Sequence, residues 1–187
     1  DCAPARRRLA EGAIGKEAGM QSGVLEGHGL LLFLGENRDL IGSTGQYLGD
    51  LQPHMLNFLE NHDEQRFASD FFGKQAIRTM APLYVSLYMN TAPFMIYFGE
   101  EVGEKGMDEE GFSGKDGRTT IFDWWSISSI QRLRKVIKSG DYRSLDREKL
   151  TKAGMTAEEA EVFCRFAEAT RFAASDSAVR EGTTYDL

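Results

Sequence analysis

The stretch Met55-Leu56-Asn57-Phe58-Leu59-Glu60-Asn61-His62-Asp63-Glu64 decides how the chain is read. Four of its first five residues are large and apolar, a run too short for a helix, and it breaks off into a cluster of polar and ionisable side chains. A buried parallel strand looks like this where its carboxyl end opens onto a site. Asn61 and Asp63 stand at alternate positions, so on extended backbone they point to the same side, and His62 reaches in from the turn.

Working outward, the chain passes a turn-like Asp70 to Gly73 and enters Gln75 to Asn90. There Ile77, Met80, Ala81, Tyr84 and Leu87 or Tyr88 fit the helical spacing. Pro82 interrupts that pattern and predicts a kink or a second helix start. Phe94 to Phe98 reads as the next strand, parallel to the first, which makes a βαβ unit. Residues 99–123 are rich in glycine and carboxylates and read as a long loop, lying over the catalytic face if the fold is a barrel. Ser126 is placed to cap a helix with Ile127, Ile130, Leu133 and Ile137 on one face. Thr156-Ala157-Glu158-Glu159 is a capping box, opening a helix that turns Phe163, Phe166, Ala167 and Thr170 inward.

Phe58-Leu59-Glu60-Asn61-His62-Asp63 resembles the F-x-x-N-H-D motif that ends the seventh barrel strand of the alpha-amylase family of glycoside hydrolases. Alone, N-H-D is a weak signal. It is followed at βα-repeat spacing by Pro93-Phe94-Met95-Ile96-Tyr97-Phe98-Gly99-Glu100-Glu101, similar to that family's eighth strand, P-x-x-I-Y-Y-G-E-E. Residues 111–124, from Gly111-Phe112-Ser113-Gly114 to Ile121-Phe122-Asp123-Trp124, resemble a stretch of maltodextrin-cleaving bacterial members. The implied fold class is α/β: the C-terminal portion, strands seven and eight with their helices, of a (β/α)8 TIM barrel. It is incomplete, because 187 residues fall short of the ~250 such a barrel needs.

The likeness runs over residues 49–187, where Ala178 to Leu187 resembles the entry to the family's C-terminal β-domain. Residues 1–48 read differently and stay unassigned. They hold two aromatics, Phe33 and Tyr47, out of a chain total of 12 Phe, 6 Tyr and 2 Trp. A short helix at Pro4 to Lys16 and a strand at Leu30 to Leu34 are the elements expected there. The run Arg6-Arg7-Arg8 suits a solvated terminus better than a nucleic-acid or membrane contact. A net charge of −7 argues against phosphate-backbone binding as the main task, so no nucleic-acid partner is expected. No apolar run approaches the ~18 residues of a membrane span, Leu30-Leu31-Leu32-Phe33-Leu34 being five long, so no membrane partner is expected either. Cys2 and Cys164 lack any metal-ligand or scaffold spacing.

Glycosidic cleavage uses one protonated and one ionised carboxyl around a cationic, oxocarbenium-like transition state. The resemblance implies that Asp63, a third carboxylate, grips the hydroxyls of the sugar being cleaved and stabilises that state. It also implies that His62 donates a hydrogen bond to the same sugar and that Asn61 holds the turn. The bland reading of Asp63, a strand-end turn former, loses ground once the second motif is counted. The nucleophile and the general acid belong to earlier strands of the family, and residues 1–48 contain no G-x-R-x-D or equivalent Glu-bearing strand. Glu100 and Glu101 are candidates to line the site, or to cap and pair with an Arg. Asp116 and Arg118 suit a loop brace. Trp124 and Trp125 suit either stacking on a sugar or burial. His54 suits a surface role. No metal site is expected, His62-Asp63-Glu64 being a poor set because adjacent strand residues diverge; calcium, where the complete parent has it, is held by regions absent here. The expected partner is an alpha-glucan or maltooligosaccharide substrate. Two alternatives stay open: an alpha-glucan transglycosylase, and a non-catalytic carbohydrate-binding remnant.

Overall fold

The computed structural model describes residues 54, 56–89, 91–106, 117–119 and 124–183. The helix and strand expected within residues 1–48, Cys2, Asp116 and the Trp124 side chain lie outside the described residues.

Strand β1 (Asn57–Phe58) runs parallel to β2 (Phe94–Met95), with Asn57 opposite Phe94 and Phe58 opposite Met95. The Asn57 N–H extends the pairing to the Pro93 carbonyl at 2.8 Å. Between the strands stands helix α1 (Met80–Tyr88), led in by a 3-10 turn at Ala76–Thr79. The expected βαβ order is therefore present, with both strands shorter than the apolar runs that announced them. Pro82 acts as a helix start: it sits in the first turn of α1, where its missing N–H has no intrahelical partner to lose.

The buried side of this crossover differs from the expected stripe. Ala76, Thr79, Met80 and Leu83 are buried, whereas Ile77 is exposed and Ala81 lies on the solvent side. The 3-10 turn has three residues per turn rather than 3.6, so a stripe counted at α-helical spacing drifts off the core before α1 begins.

Among the described residues four α-helices follow β2: α2 (Ser128–Ser139), α3 (Arg147–Ala153), α4 (Ala157–Ser175) and α5 (Ser177–Glu181). The Ser126 cap is not realised. Ser126 belongs to a 3-10 turn at Trp124–Ser126, and Ile127 takes the N-cap position of α2 without a side-chain bond. Along α2, Leu133 and Val136 are buried while Ile137 is 52% exposed. The capping box at Thr156 forms as expected: Thr156 Oγ1 accepts from Glu159 N at 3.1 Å and Glu159 Oε2 from Thr156 N at 2.9 Å. Helix α5 is capped by Asp176, whose Oδ1 accepts from Ala178 N and Val179 N; residues 184–187, the last of the stretch expected to lead into the β-domain, lie outside the described residues.

Helix α4 is the spine. Its Val162, Phe166 and Ala169 close a core with Leu59, Ala68, Ala76, Met80 and Leu83 under the strands. Its Ala160 and Cys164 face a second core with Val102, Leu133, Val136, Leu150 and Met155. Each of the larger apolar side chains fully removed from water contributes about 1.5–3 kcal/mol. Burial pushes the Cys164 thiol up, away from reactivity, and its Sγ donates to the Leu145 carbonyl at 3.3 Å.

Candidate functional site at the strand ends

The polypeptide leaves β1 at Phe58, buries Leu59 and Glu60, and then turns out to solvent at Asn61-His62-Asp63-Glu64. Asn61 shapes that turn. Its Oδ1 accepts the backbone N–H of Asp63 at 2.8 Å and of Glu64 at 2.9 Å, an Asx turn in which the side chain takes the place of a backbone acceptor. The side chains of His62 and Asp63 are 59% and 77% exposed, with Nε2 and Oδ2 3.3 Å apart. A donor and a carboxylate thus stand side by side on a fixed turn, a pair suited to the vicinal hydroxyls of a sugar.

Beneath the tip lies a buried ionic support that hydropathy does not reveal. Arg66 is completely buried, and its Nη1 is 3.1 Å from Glu60 Oε2 without the alignment of a hydrogen bond, so the contact is Coulombic. Glu60 Oε1 accepts from Phe67 N at 2.6 Å. Arg66 Nη2 donates to the Phe98 carbonyl at 2.6 Å, just past β2, and its guanidinium lies 4.9 Å from the Tyr97 ring centroid. Gly99 permits this approach: at φ +88° it adopts a left-handed conformation, and a Cβ there would meet Arg66 Nη2 at 2.6 Å.

The two carboxylates after β2 turn inward. Glu100 is buried, its Oε2 accepts from Tyr97 N at 3.1 Å, and burial with the nearby Glu60 charge holds its carboxyl well above the ordinary range. Glu101 Oε2 accepts from Gly99 N at 2.8 Å, and burial raises it too. Glu100 thus braces the turn at Glu100–Val102 and does not line an open site. Burial also raises Glu60, against the pull of Arg66. Trp125 is 57% exposed ahead of α2, and His54 is exposed.

A polar cleft of about 300 Å³ lies elsewhere, bounded by Glu104, Lys105, Ser129, Arg132, Glu158 and Glu159 among others. Its charges answer one another: Lys105 pairs with Glu158 at 3.7 Å, Arg132 with Glu159 at 2.6 Å, and Ser129 Oγ donates to Glu104. It shares no residue with the Asn61–Asp63 turn. Among the described residues no cluster of three or more His, Cys, Asp or Glu side chains is placed to hold a metal ion, and no helix is long and apolar enough to cross a membrane.

The family model described as alpha amylase, catalytic domain, matches residues 35–181. The chain belongs to the alpha-amylase family. The match takes in the βαβ unit, the Asn61–Asp63 turn and helices α2 to α4. It opens at residue 35, ahead of the position where the likeness becomes legible by motif. No solved structure matches the chain. Membership in the family accounts for a parallel βαβ unit with its polar cluster at the carboxyl end of a strand, where enzymes of barrel fold gather their reacting groups.

Proposed function

We propose that the chain is the part of a retaining glycoside hydrolase, acting on alpha-glucans or maltodextrins, that carries strands seven and eight of the barrel. In this reading β1 is strand seven and β2 strand eight. Asp63 stabilises the positive charge that develops on the sugar ring, His62 hydrogen-bonds the same sugar, and Asn61 keeps both in place. The nucleophile and the general acid come from other strands of the barrel.

One observation carries the reading. Asp63 and His62 stand exposed and 3.3 Å apart at the carboxyl end of a parallel strand, on a turn that Asn61 closes with two hydrogen bonds. A carboxylate so held requires no reorganisation when the cationic transition state forms, so it favours that state over the neutral ground state.

Co-expressing the chain with a polypeptide supplying the first six strand–helix units of an alpha-amylase-family barrel, and measuring reducing sugar from maltoheptaose, tests this. Turnover that collapses in Asp63→Asn is the expected result. Turnover that survives the substitution removes Asp63 from the mechanism. Turnover by the chain alone that depends on Asp63 defeats the division of labour between strands. Product analysis with added glucose as acceptor separates hydrolysis from glycosyl transfer.

A further inference from the structure

Arg66 is the least accessible cation of the described chain, and it touches every segment that frames the Asn61–Asp63 turn. A guanidinium withdrawn from water is costly unless charge and hydrogen bonds replace the hydration it loses. Here the guanidinium meets a charge and a carbonyl, and a separate bond fixes the Arg66 backbone. Glu60, the last residue before the turn, is 3.1 Å from Nη1. The Phe98 carbonyl beyond β2 takes Nη2 at 2.6 Å. The backbone N–H of Arg66 itself donates to the Gly117 carbonyl at 2.7 Å.

Glu60 and Arg66 bracket the five residues Asn61-His62-Asp63-Glu64-Gln65. Their contact therefore closes those residues into a ring, with the Asn61 Asx turn inside it and the carboxyl end of β2 fastened to its base. The direction of Asp63 follows from a loop whose two ends are fixed. We infer that Arg66, clamped between Glu60 and the Phe98 carbonyl, is a positioning residue that sets where His62 and Asp63 point. The inference rests on the proposed sugar-binding role of those two residues.

The test uses the His62 ring-proton resonance of the full 187-residue chain, assigned by its loss in His62→Gln and set against the other two histidines, His28 and His54. Arg66→Lys keeps the charge but loses the fork, since an ammonium is a point charge that cannot serve Glu60 and Phe98 in the same planar geometry. The expected result is a displaced His62 resonance, an unmoved His54 resonance, and an affinity for maltoheptaose, read from His62, weaker by at least about tenfold. An unmoved His62 with unchanged affinity, even in a less stable protein, overturns the inference and leaves Arg66 a structural residue. Where Arg66→Lys loses its dispersed signals, Glu60→Gln decides: it removes one side of the clamp and leaves the bond to Phe98, and an unmoved His62 there overturns the inference equally. A wild-type chain that ignores maltoheptaose sinks the sugar-binding reading alone, because displacement of His62 still reports on the clamp.

Discussion

Gly103→Ala should destabilise the chain far more than Gly140→Ala, although the two glycines share the same backbone problem. Both adopt left-handed conformations, at φ +67° and +81°. An alanine there costs about 1–2 kcal/mol in backbone sterics, and stiffening the unfolded chain returns roughly 0.4–1 kcal/mol. Gly140 has nothing within 4 Å of the position a Cβ would occupy, so its variant should lose roughly 1.5 kcal/mol or less. At Gly103 the new Cβ would sit 2.3 Å from Ala76 Cβ, where no flexible side-chain end can step aside. Overpacking of this kind adds about 1–3 kcal/mol. The total, roughly 1–4.5 kcal/mol, is a large part of the stability of a small domain.

Urea unfolding followed by far-UV circular dichroism reads both variants, with midpoints compared at unchanged slope. A third protein carries the decisive arm. Ala76→Gly combined with Gly103→Ala removes the Cβ that the new methyl strikes, and the next atom, Ala76 Cα, lies at 3.7 Å. The double variant should therefore recover about 1–3 kcal/mol relative to the sum of the single changes. Equal losses at Gly103 and Gly140, or strict additivity with Ala76→Gly, would refute the claim that the turn after β2 is packed directly on the head of the α1 segment.

Three further outcomes are expected. Glu100→Gln keeps the carbonyl that accepts from Tyr97 N and removes the titration. Since burial raises the folded-state Glu100 above its ordinary value, the wild type has the full benefit below that ordinary value and loses it as pH rises through the raised one; the variant should gain on the wild type with rising pH, and a pH-independent difference in urea midpoint contradicts this. Thr156→Ala removes the cap of α4 and should cost ~1 kcal/mol by the same unfolding measurement, with no loss at all showing that the capping box is idle. In the co-expressed enzyme His62→Ala should lose roughly 1.5–3 kcal/mol of transition-state binding, the worth of a hydrogen bond to a charged or strongly polar partner, and less than Asp63→Asn loses; equal losses in kcat/KM mean that the two roles are assigned wrongly.

The sequence made the site legible where chemistry and spacing coincide. Asn61-His62-Asp63 at the end of an apolar run gave both the strand end and the turn, and Thr156 with Glu159 gave the start of α4. Faces of helices were harder. Met80, Ile127 and Leu133 are buried as their spacing predicts, but Ile77 and Ile137, which fit the same stripes, are exposed, and Ala76, Leu83 and Val136 are buried in addition. Strand lengths were overstated for a related reason, since Leu59 and Ile96 pack against the core without continuing the ladder. The buried support was invisible for the opposite reason. Glu60, Arg66 and Glu100 are charged residue types that hydropathy assigns to the surface, and only the closeness of Glu60 to Arg66 across the N-H-D turn hinted that they meet.

That support bears on the field that Asp63 would offer a cationic transition state in the proposed mechanism. An unpaired cation beneath Asp63 would neutralise that field. The arrangement avoids this. Glu60 and Arg66 cancel at 3.1 Å, and burial favours the neutral form of Glu100. Cancelled charges in a low-dielectric base project little field outward. The negative charge at the tip is then left to Asp63 and Glu64, both exposed, with the His62 ring beside Asp63. Water screens an exposed carboxylate strongly, so in the proposed mechanism Asp63 would act with full strength only once a sugar and the rest of the barrel exclude solvent from it. On that proposal the turn is built in advance by Asn61, Glu60 and Arg66, while its electrostatic effect would be switched on by the substrate that covers it.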